Sequence, residues 1–257
     1  MNPLSRQEIT LLLAWLRAEI TMDAKHVYTT PAGVFPSVTT IIKHLDKPAL
    51  MMWASKVQSE ADEAEVIAWL QGDGKDEEAL LYRLRAQRQA HKGKTKKAAD
   101  MGTEGHKLAE CEFRRQLGMD VAKPTLEHPE QAHMVLAGIM EWAKKHAVEP
   151  IAMEQPVYSR AHRYAGTGDL VAYVDGVLTF VDFKSNDRGR VYRESYLQNH
   201  ALRGALREHG LDTAGLVLAV PRDGVGEINP VPVPWRDADY AAFVGLRAVH
   251  DWARMIG

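Results

Sequence analysis

The chain has 257 residues, 46% of them hydrophobic and 26% charged, with a formal net charge of −2; this fits one large globular domain, or one domain with an extension, and excludes a global basic field, so any nucleic-acid surface must be local. Cys111 is the only cysteine, which excludes an internal disulfide framework, a cysteine-rich zinc site and a four-cysteine iron–sulfur cluster, and fits a reducing cytoplasm. No basic start leads into an apolar segment and no apolar run reaches the ~18 residues of a membrane span, so a cytoplasmic chain without a membrane partner is expected.

Ser5 to Ile20 reads as a helix, with Ser5 and Glu8 as a capping box and Ile9, Leu12, Leu13 and Leu16 as its apolar stripe. His26 to Phe35 reads as a short β-ribbon around Pro31-Ala32-Gly33, and Ser37 or Thr39 caps a short helix carrying Ile41, Ile42 and Leu45. Pro48 opens a helix running toward Leu70, closed by Gln71-Gly72-Asp73-Gly74. Asp76 to about Ala99 is again helical, with Gly93 and Thr95 marking a loop or hinge. Arg83, Arg85, Arg88, Lys92, Lys94, Lys96 and Lys97 lie in its second half with no acid between them. Such a run is either a solvated face or a segment that contacts phosphates, and the imbalance in a net-acidic chain favours the second. Met101 starts a helix through about Leu117, on which His106, Glu110 and Phe113 share one face; Glu110 reads either as a support behind His106 or as a plain surface acid, and the second is favoured. Pro129 to Ala147 is another amphipathic helix.

The composition then shifts. Ile151 to Tyr158 reads as a strand, and Tyr164 to Lys184 as two strands joined at Asp175-Gly176, the dipeptide that best suits a type I′ turn. With Val174 facing Val177, Leu170 faces Val181 and Asp169 faces Asp182, and Lys184 lies on the Asp182 face. Two carboxylates directly across a ladder repel, and the flanking positions are apolar on both faces, so the hairpin belongs inside a sheet where charge is costly. Either a divalent cation joins the two carboxylates, or Asp169 is solvated at the rim and Lys184 neutralises Asp182. Ser185 to Gly189 reads as a loop, Arg193 to His209 as a helix, Ala214 to Val220 and Glu227 to Val233 as strands, and Asp237 to Met255 as a closing helix. The fold expected is α/β or α+β, a central mixed sheet flanked by helices, with a helical N-terminal region over 1–100 and the sheet-bearing core over 101–257.

Two carboxylates suit Mg²⁺ or Mn²⁺. The Phe183 carbonyl offers a further oxygen, and His106, on a helix that Gly102 and Gly105 would let approach the sheet, offers a neutral imidazole. Glycine-aspartate on one strand and aspartate-x-lysine on the next, preceded by GTEGH and MEQPVY and followed by YLQNHALRGA, resemble the PD-(D/E)XK nuclease superfamily, closest to its RecB-like branch. FPSVTTIIKHLDKPALMMWA also looks like the start of phage-type exonucleases and of the mitochondrial genome maintenance exonuclease. The resemblance spans roughly Phe35 to Gly210.

That resemblance implies a restriction-endonuclease-like core. It implies that His106, Asp169 and Asp182 are metal ligands, Lys184 is the catalytic lysine, Gln198 positions the lysine or the DNA, and Glu154 supports the site. The family's last motif places tyrosine four residues after the glutamine; Leu202 stands there, with Tyr196 nearby, which bears on the handling of substrate ends rather than on metal chemistry. The implied activity is a Mg²⁺-dependent deoxyribonuclease, an exonuclease working on ends or single strands in recombination, repair or phage DNA processing. An inactive DNA-binding relative, a structure-specific endonuclease and a hydrolase of small phosphoesters are the alternatives. The basic run from Arg83 to Lys97 would wall the DNA, and Arg188, Arg190, Tyr192 and Arg193 would contact it, Tyr192 by stacking.

Overall fold

A computed structural model of the chain describes residues 4–45, 48–71, 76–86, 90–186, 189–221 and 227–256, with the backbone alone for residues 48–54, 57, 77, 86, 90–102 and 186. Helix α1 (Arg6–Glu19) begins at the expected capping box: Ser5 Oγ accepts the Glu8 N–H at 3.3 Å and the Glu8 carboxylate accepts the Ser5 N–H at 2.7 Å. Its buried stripe is Ile9, Leu13 and Leu16. Strands β1 (Thr21–Met22), β2 (Val27–Thr30) and β3 (Gly33–Pro36) form an antiparallel ribbon. Ser37 Oγ then accepts the Thr40 N–H at 3.0 Å and caps α2 (Val38–Ile42). There follow α3 (Pro48–Gln71), α4 (Glu77–Ala86), α5 (Ala90–Gln116), α6 (Pro129–Lys145), β4 (Glu149–Ser159), β5 (Tyr164–Val174), β6 (Val177–Asn186), α7 (Arg193–Glu208), β7 (Ala214–Pro221), β8 (Asn229–Pro232) and α8 (Asp237–Ile256). The chain is thus of the mixed α and β class. Among the described residues no helix is long and apolar enough to cross a membrane.

Two local readings are corrected. The segment with Gly93 and Thr95 is not a loop, and no helix starts at Met101: α5 runs unbroken over 27 residues. One glycine costs a helix only about 1 kcal/mol relative to alanine, too little to interrupt a segment with no proline. The loop expected from Ser185 also begins late, because β6 continues to Asn186 in parallel pairing with β7.

Met1–Leu45 and Met101–Gly257 form one compact unit, and Asp46–Asp100 another. A cut at residue 100 therefore separates residues 1–45 from the sheet they pack with. The reason is α1, whose apolar stripe joins one core with Val157 of β4, Val171 of β5, Phe180 of β6 and Leu202 of α7.

The main sheet has the order β4-β5-β6-β7-β8. All neighbours are antiparallel except β6 and β7, which α7 joins as a parallel crossover. Alternation along the strands serves two cores. Val171 and Phe180 join α1, α2 and α7 on one face. Leu170, Ala172, Val181 and Phe183 join Ala109 and Phe113 of α5 and Val135, Ile139 and Trp142 of α6 on the other.

Candidate active site

The Asp175-Gly176 turn sets the register that carries the site. Both residues take left-handed φ, 48° and 78°, as a type I′ turn requires, and Val174 pairs with Val177, Val171 with Phe180 and Leu170 with Val181. The ladder ends there. Beyond it β6 stays paired on its other edge with β7, which it meets from Thr179 onward, Asp182 against Val217 and Lys184 against Ala219, while β5 continues along β4. Asp169 and Asp182 are consequently not a paired rung. Just past the last rung, Asp169 Oδ2 accepts the Phe183 N–H at 2.5 Å, so a side chain takes the amide left over where the strands part.

Asp182 is fully buried. Lys184, two residues on and on the same face, places its ammonium 2.8 Å from Oδ1 and 2.7 Å from Oδ2. Burial raises the Asp182 carboxyl to about 6; Lys184 opposes that rise and Asp169 adds to it. Burial also raises Asp169, against the pull of Lys184 and the Phe183 N–H. For Lys184 burial works against the charge, but Asp182, Asp169 and Glu154 outweigh it and hold the ammonium above its ordinary range.

His106 projects from α5 near enough to feel both Asp182 and Lys184. Burial first and Lys184 second bring it down to about 4, against the opposing pull of Asp182. It is therefore a neutral imidazole, and its buried Nε2 has no hydrogen-bond partner among the described residues. Its ring meets the Phe183 ring edge-on at 6.0 Å, and Phe183 stacks on Phe113 at 6.3 Å. Gly105 does not serve an approach of α5 to the sheet: a Cβ there would lie 2.5 Å from Val135 Cβ, so the glycine admits α6. What surrounds Gly102 lies outside the described residues.

Glu154 falls between the pairs Met153–Leu170 and Gln155–Gly168, across from Asp169, with φ at 46°. A left-handed glutamate inside a strand is a strained backbone state of a kind that clusters at functional sites. Burial first, then Asp169 and Glu110, raise its carboxyl to about 8, against Arg114 and Arg17. Glu110 is not the plain surface acid that its position on the helix suggests. It is half-buried, pairs with Arg114 at 2.7 Å and acts on both Asp169 and Glu154. Its spacing of four from His106 is the signal that could have found it. Arg17, which donates to the Met153 carbonyl, carries no such signal, because α1 reaches β4 only through the tertiary fold.

Gln198 is half-buried in α7 and, among the described residues, hydrogen-bonds to none of these groups. Tyr192 is 53% exposed at the N-cap of α7, and Arg190 and Arg193 are exposed beside it. In the other unit Arg83 pairs with Glu65 at 3.8 Å and Arg85 is exposed. Arg88 and Arg188, and the side chains of Lys92, Lys94, Lys96 and Lys97, lie outside the described residues.

The residues fit a divalent cation in donor chemistry and in charge. Three carboxylates, Glu154, Asp169 and Asp182, are all raised, Lys184 is their lysine, and His106 Nε2 lacks a partner. The set is open. Among the described residues, the group whose donor atoms all lie within 4.8 Å of one another is instead Glu104, Glu127 and His128. Mg²⁺ suits an open set, since it keeps several waters and takes one or two carboxylates. The Glu104 group has a structural role: its carboxylate accepts the Glu127 and His128 N–H groups at 2.9 and 2.8 Å and so anchors the start of α6.

No family model and no curated protein matches the chain. One solved structure, described as "Crystal structure of SSO0001", is similar at 14% identity and a TM-score of 0.29, over 54% of this chain and 81% of that one, a likeness too low to carry an argument.

Proposed function

We propose that the chain is a metal-dependent deoxyribonuclease that hydrolyses phosphodiester bonds at DNA ends or in single strands, a RecB-like member of the PD-(D/E)XK superfamily. The observation that carries this reading is the Lys184–Asp182 pair, its carboxylate buried beside Asp169 and His106 at the place where β5 and β6 part. His106, Asp169 and Asp182, with the Phe183 carbonyl, would hold Mg²⁺ or Mn²⁺. The cation would polarise a phosphoryl oxygen and lower the pKa of a bound water.

The chain's own groups divide the remaining work. Lys184 is kept charged by its acids and would stabilise the charge that develops on the scissile phosphate. Asp182 orients that ammonium by gripping it with both oxygens. Asp169 is aimed by the Phe183 N–H. His106 stays neutral, so it offers a lone pair rather than a second positive charge. Glu154 and Glu110, held by Arg17 and Arg114, would tune the field around Asp169. Gln198 would position substrate, and Arg190, Tyr192, Arg193 and the basic run from Arg83 would hold the DNA. A buried, free Cys111 accords with work in a reducing cytoplasm.

The test is digestion of end-labelled single- and double-stranded DNA, linear and circular, with Mg²⁺, Ca²⁺ or EDTA. Degradation of linear DNA with Mg²⁺ alone is expected. Degradation that persists in EDTA sinks the metal mechanism, and cleavage of closed circles removes the exonuclease reading in favour of an endonuclease.

A further inference from the structure

A cleft of about 440 Å³ opens between α1, the end of β4 and the C-terminus of α7, lined by Trp15, Tyr158, Arg160, Ala161, Glu208 and His209. None of these residues belongs to the carboxylate centre. We propose that this cleft binds one amino-bearing nucleobase together with its phosphate.

The recognition surface has three parts. The first is a flat apolar wall. Trp15 is 45% exposed, and its indole N–H has no partner among the described residues. A half-bare tryptophan in a concavity offers a large stacking face at low entropic cost. Its orientation is fixed from behind: the His209 ring meets Trp15 edge-on at 6.0 Å and Tyr158 at 4.7 Å. His209 is itself fixed, because its Nε2 lies 3.0 Å from the Tyr158 carbonyl. A carbonyl only accepts, so Nε2 carries the proton.

The second part is a fixed acceptor. The Glu208 carboxylate is held by the Ser159 hydroxyl at 2.5 Å and by the Arg160 and Ala161 N–H groups at 2.9 and 3.2 Å. Glu208 is the last residue of α7, so the negative end of the helix dipole adds to its charge. Both select a ligand edge that donates hydrogen bonds. The third part is a cation: Arg160, exposed on the turn after β4, selects an anion, and its guanidinium suits phosphate. A flat face, a donating edge and an anion on one ligand describe an adenine, cytosine or guanine nucleotide. The volume falls in the range of roughly 300–1,000 Å³ usual for small-molecule sites.

The same chemistry is carried by a free mononucleotide and by an unpaired nucleotide within a strand. Calorimetric titration of the full chain in EDTA separates them, using dAMP and a short oligodeoxyadenylate, with 2-deoxyribose 5-phosphate and tetramethylammonium as controls. The expected result is saturable binding of dAMP, of the oligonucleotide or of both. Trp15→Ala weakens it about tenfold, in the range that base stacking supplies. Trp15→Phe largely retains it, and Arg160→Ala weakens dAMP but not adenosine. Arg160 is exposed and Trp15 half-exposed; thermal melts of the variants verify that the fold is kept, and the Trp15 indole N–H resonance, assigned by its loss in Trp15→Phe, shifts on binding. A strand source gives an oligonucleotide at least tenfold tighter than dAMP; a free nucleotide source gives equal affinities. The proposal is overturned if neither dAMP nor the oligonucleotide binds, if Trp15→Ala binds as well as the unaltered chain, or if deoxyribose phosphate or tetramethylammonium matches dAMP.

Discussion

The Lys184 ammonium grips both oxygens of Asp182, at 2.8 and 2.7 Å, on a strand whose antiparallel pairing has just ended. The carboxylate is fully buried and the lysine side chain is 31% exposed. The pair therefore has one end in the core and the other at an opening, the arrangement a cation and a phosphate would need to reach it.

Removing Lys184 should act on chemistry and on stability together. Lys184→Ala is expected to lower DNA cleavage by about 10²–10³-fold, the effect of losing one preorganised charge-stabilising group. It also leaves Asp182 without its ammonium. The cost should be about 2–3 kcal/mol, below that of a fully buried pair because Lys184 is partly solvated. Ca²⁺ should restore part of the lost melting temperature in this variant. Thermal melts in EDTA and in Ca²⁺, beside the cleavage assay, measure all three effects; full activity would remove Lys184 from the site.

The Glu154 carboxyl gives stability a pH dependence with a definite sign. Burial and the neighbouring acids raise it to about 8 in the fold from its ordinary 4.5. The folded state thus binds the proton more tightly, and the stability this contributes is complete below 4.5 and lost as pH rises through about 8. His106 has the opposite sense: lowered to about 4, it contributes stability above 6.5 that is lost as pH falls toward 4. Above 6.5 His106 no longer contributes to the slope, and Glu154→Gln separates Glu154 from Asp169 and Asp182, whose raised carboxyls act in the same sense. In EDTA the melting temperature should fall from pH 6.5 to 8.5, and Glu154→Gln should flatten that slope. An unchanged slope in the variant would assign the effect elsewhere.

The hairpin register is legible in the sequence because Asp175-Gly176 is a local signal and the pairing follows from it rung by rung. The separation of β5 from β6 at Asp169 is not, because no residue local to the hairpin marks it: β5 goes on along β4 and β6 along β7, and both of those pairings come from the tertiary fold. The same limit explains Arg17. His106, Asp169, Asp182 and Lys184 stand out because spacing and residue type mark them. Arg17 reaches the cluster only through tertiary packing and carries no mark in the chain, whereas Glu110 is marked by its spacing of four from His106. The compact units do divide after residue 100, but residues 1–45 fall with the sheet and not with 46–100, for a related reason: α1 is amphipathic in sequence, but nothing in its pattern names β4 as its partner.

Gly168, next to Asp169, leaves room for a ring. A Cβ there would stand 2.0 Å from Phe180 Cζ and 2.2 Å from its Cε2, and Phe180 is fully buried in the core between the sheet, α1 and α7. The ring cannot swing into solvent, so β5 must move. Gly168→Ala should destabilise the fold by about 1–3 kcal/mol, the usual range for overpacking, and should reduce cleavage by shifting Asp169 away from the Phe183 N–H. Chemical denaturation and the cleavage assay check the two parts. A variant of normal stability would show that Phe180 has space to yield.

Asp169 should show stability and function in opposition. Its carboxyl is raised by burial first, with Glu110 adding, despite the opposing pull of Lys184 and the Phe183 N–H. The ionised form is therefore disfavoured in the fold at neutral pH relative to the unfolded chain. Asparagine keeps the shape, and its Oδ1 can still accept the Phe183 N–H, while the buried charge disappears. In EDTA, Asp169→Asn is expected to stabilise the protein by about 1 kcal/mol, or a few degrees in Tm for a domain of this size. The same variant should lose cleavage activity and most of the Tm gain that Mg²⁺ or Ca²⁺ gives the unaltered chain, because one of the proposed cation's oxygen donors is gone. Melting curves with and without the cation decide it. A variant less stable than the unaltered chain in EDTA would show that the Lys184 attraction outweighs the burial of the charge, and a variant with undiminished cation response would remove Asp169 from the proposed metal ligands.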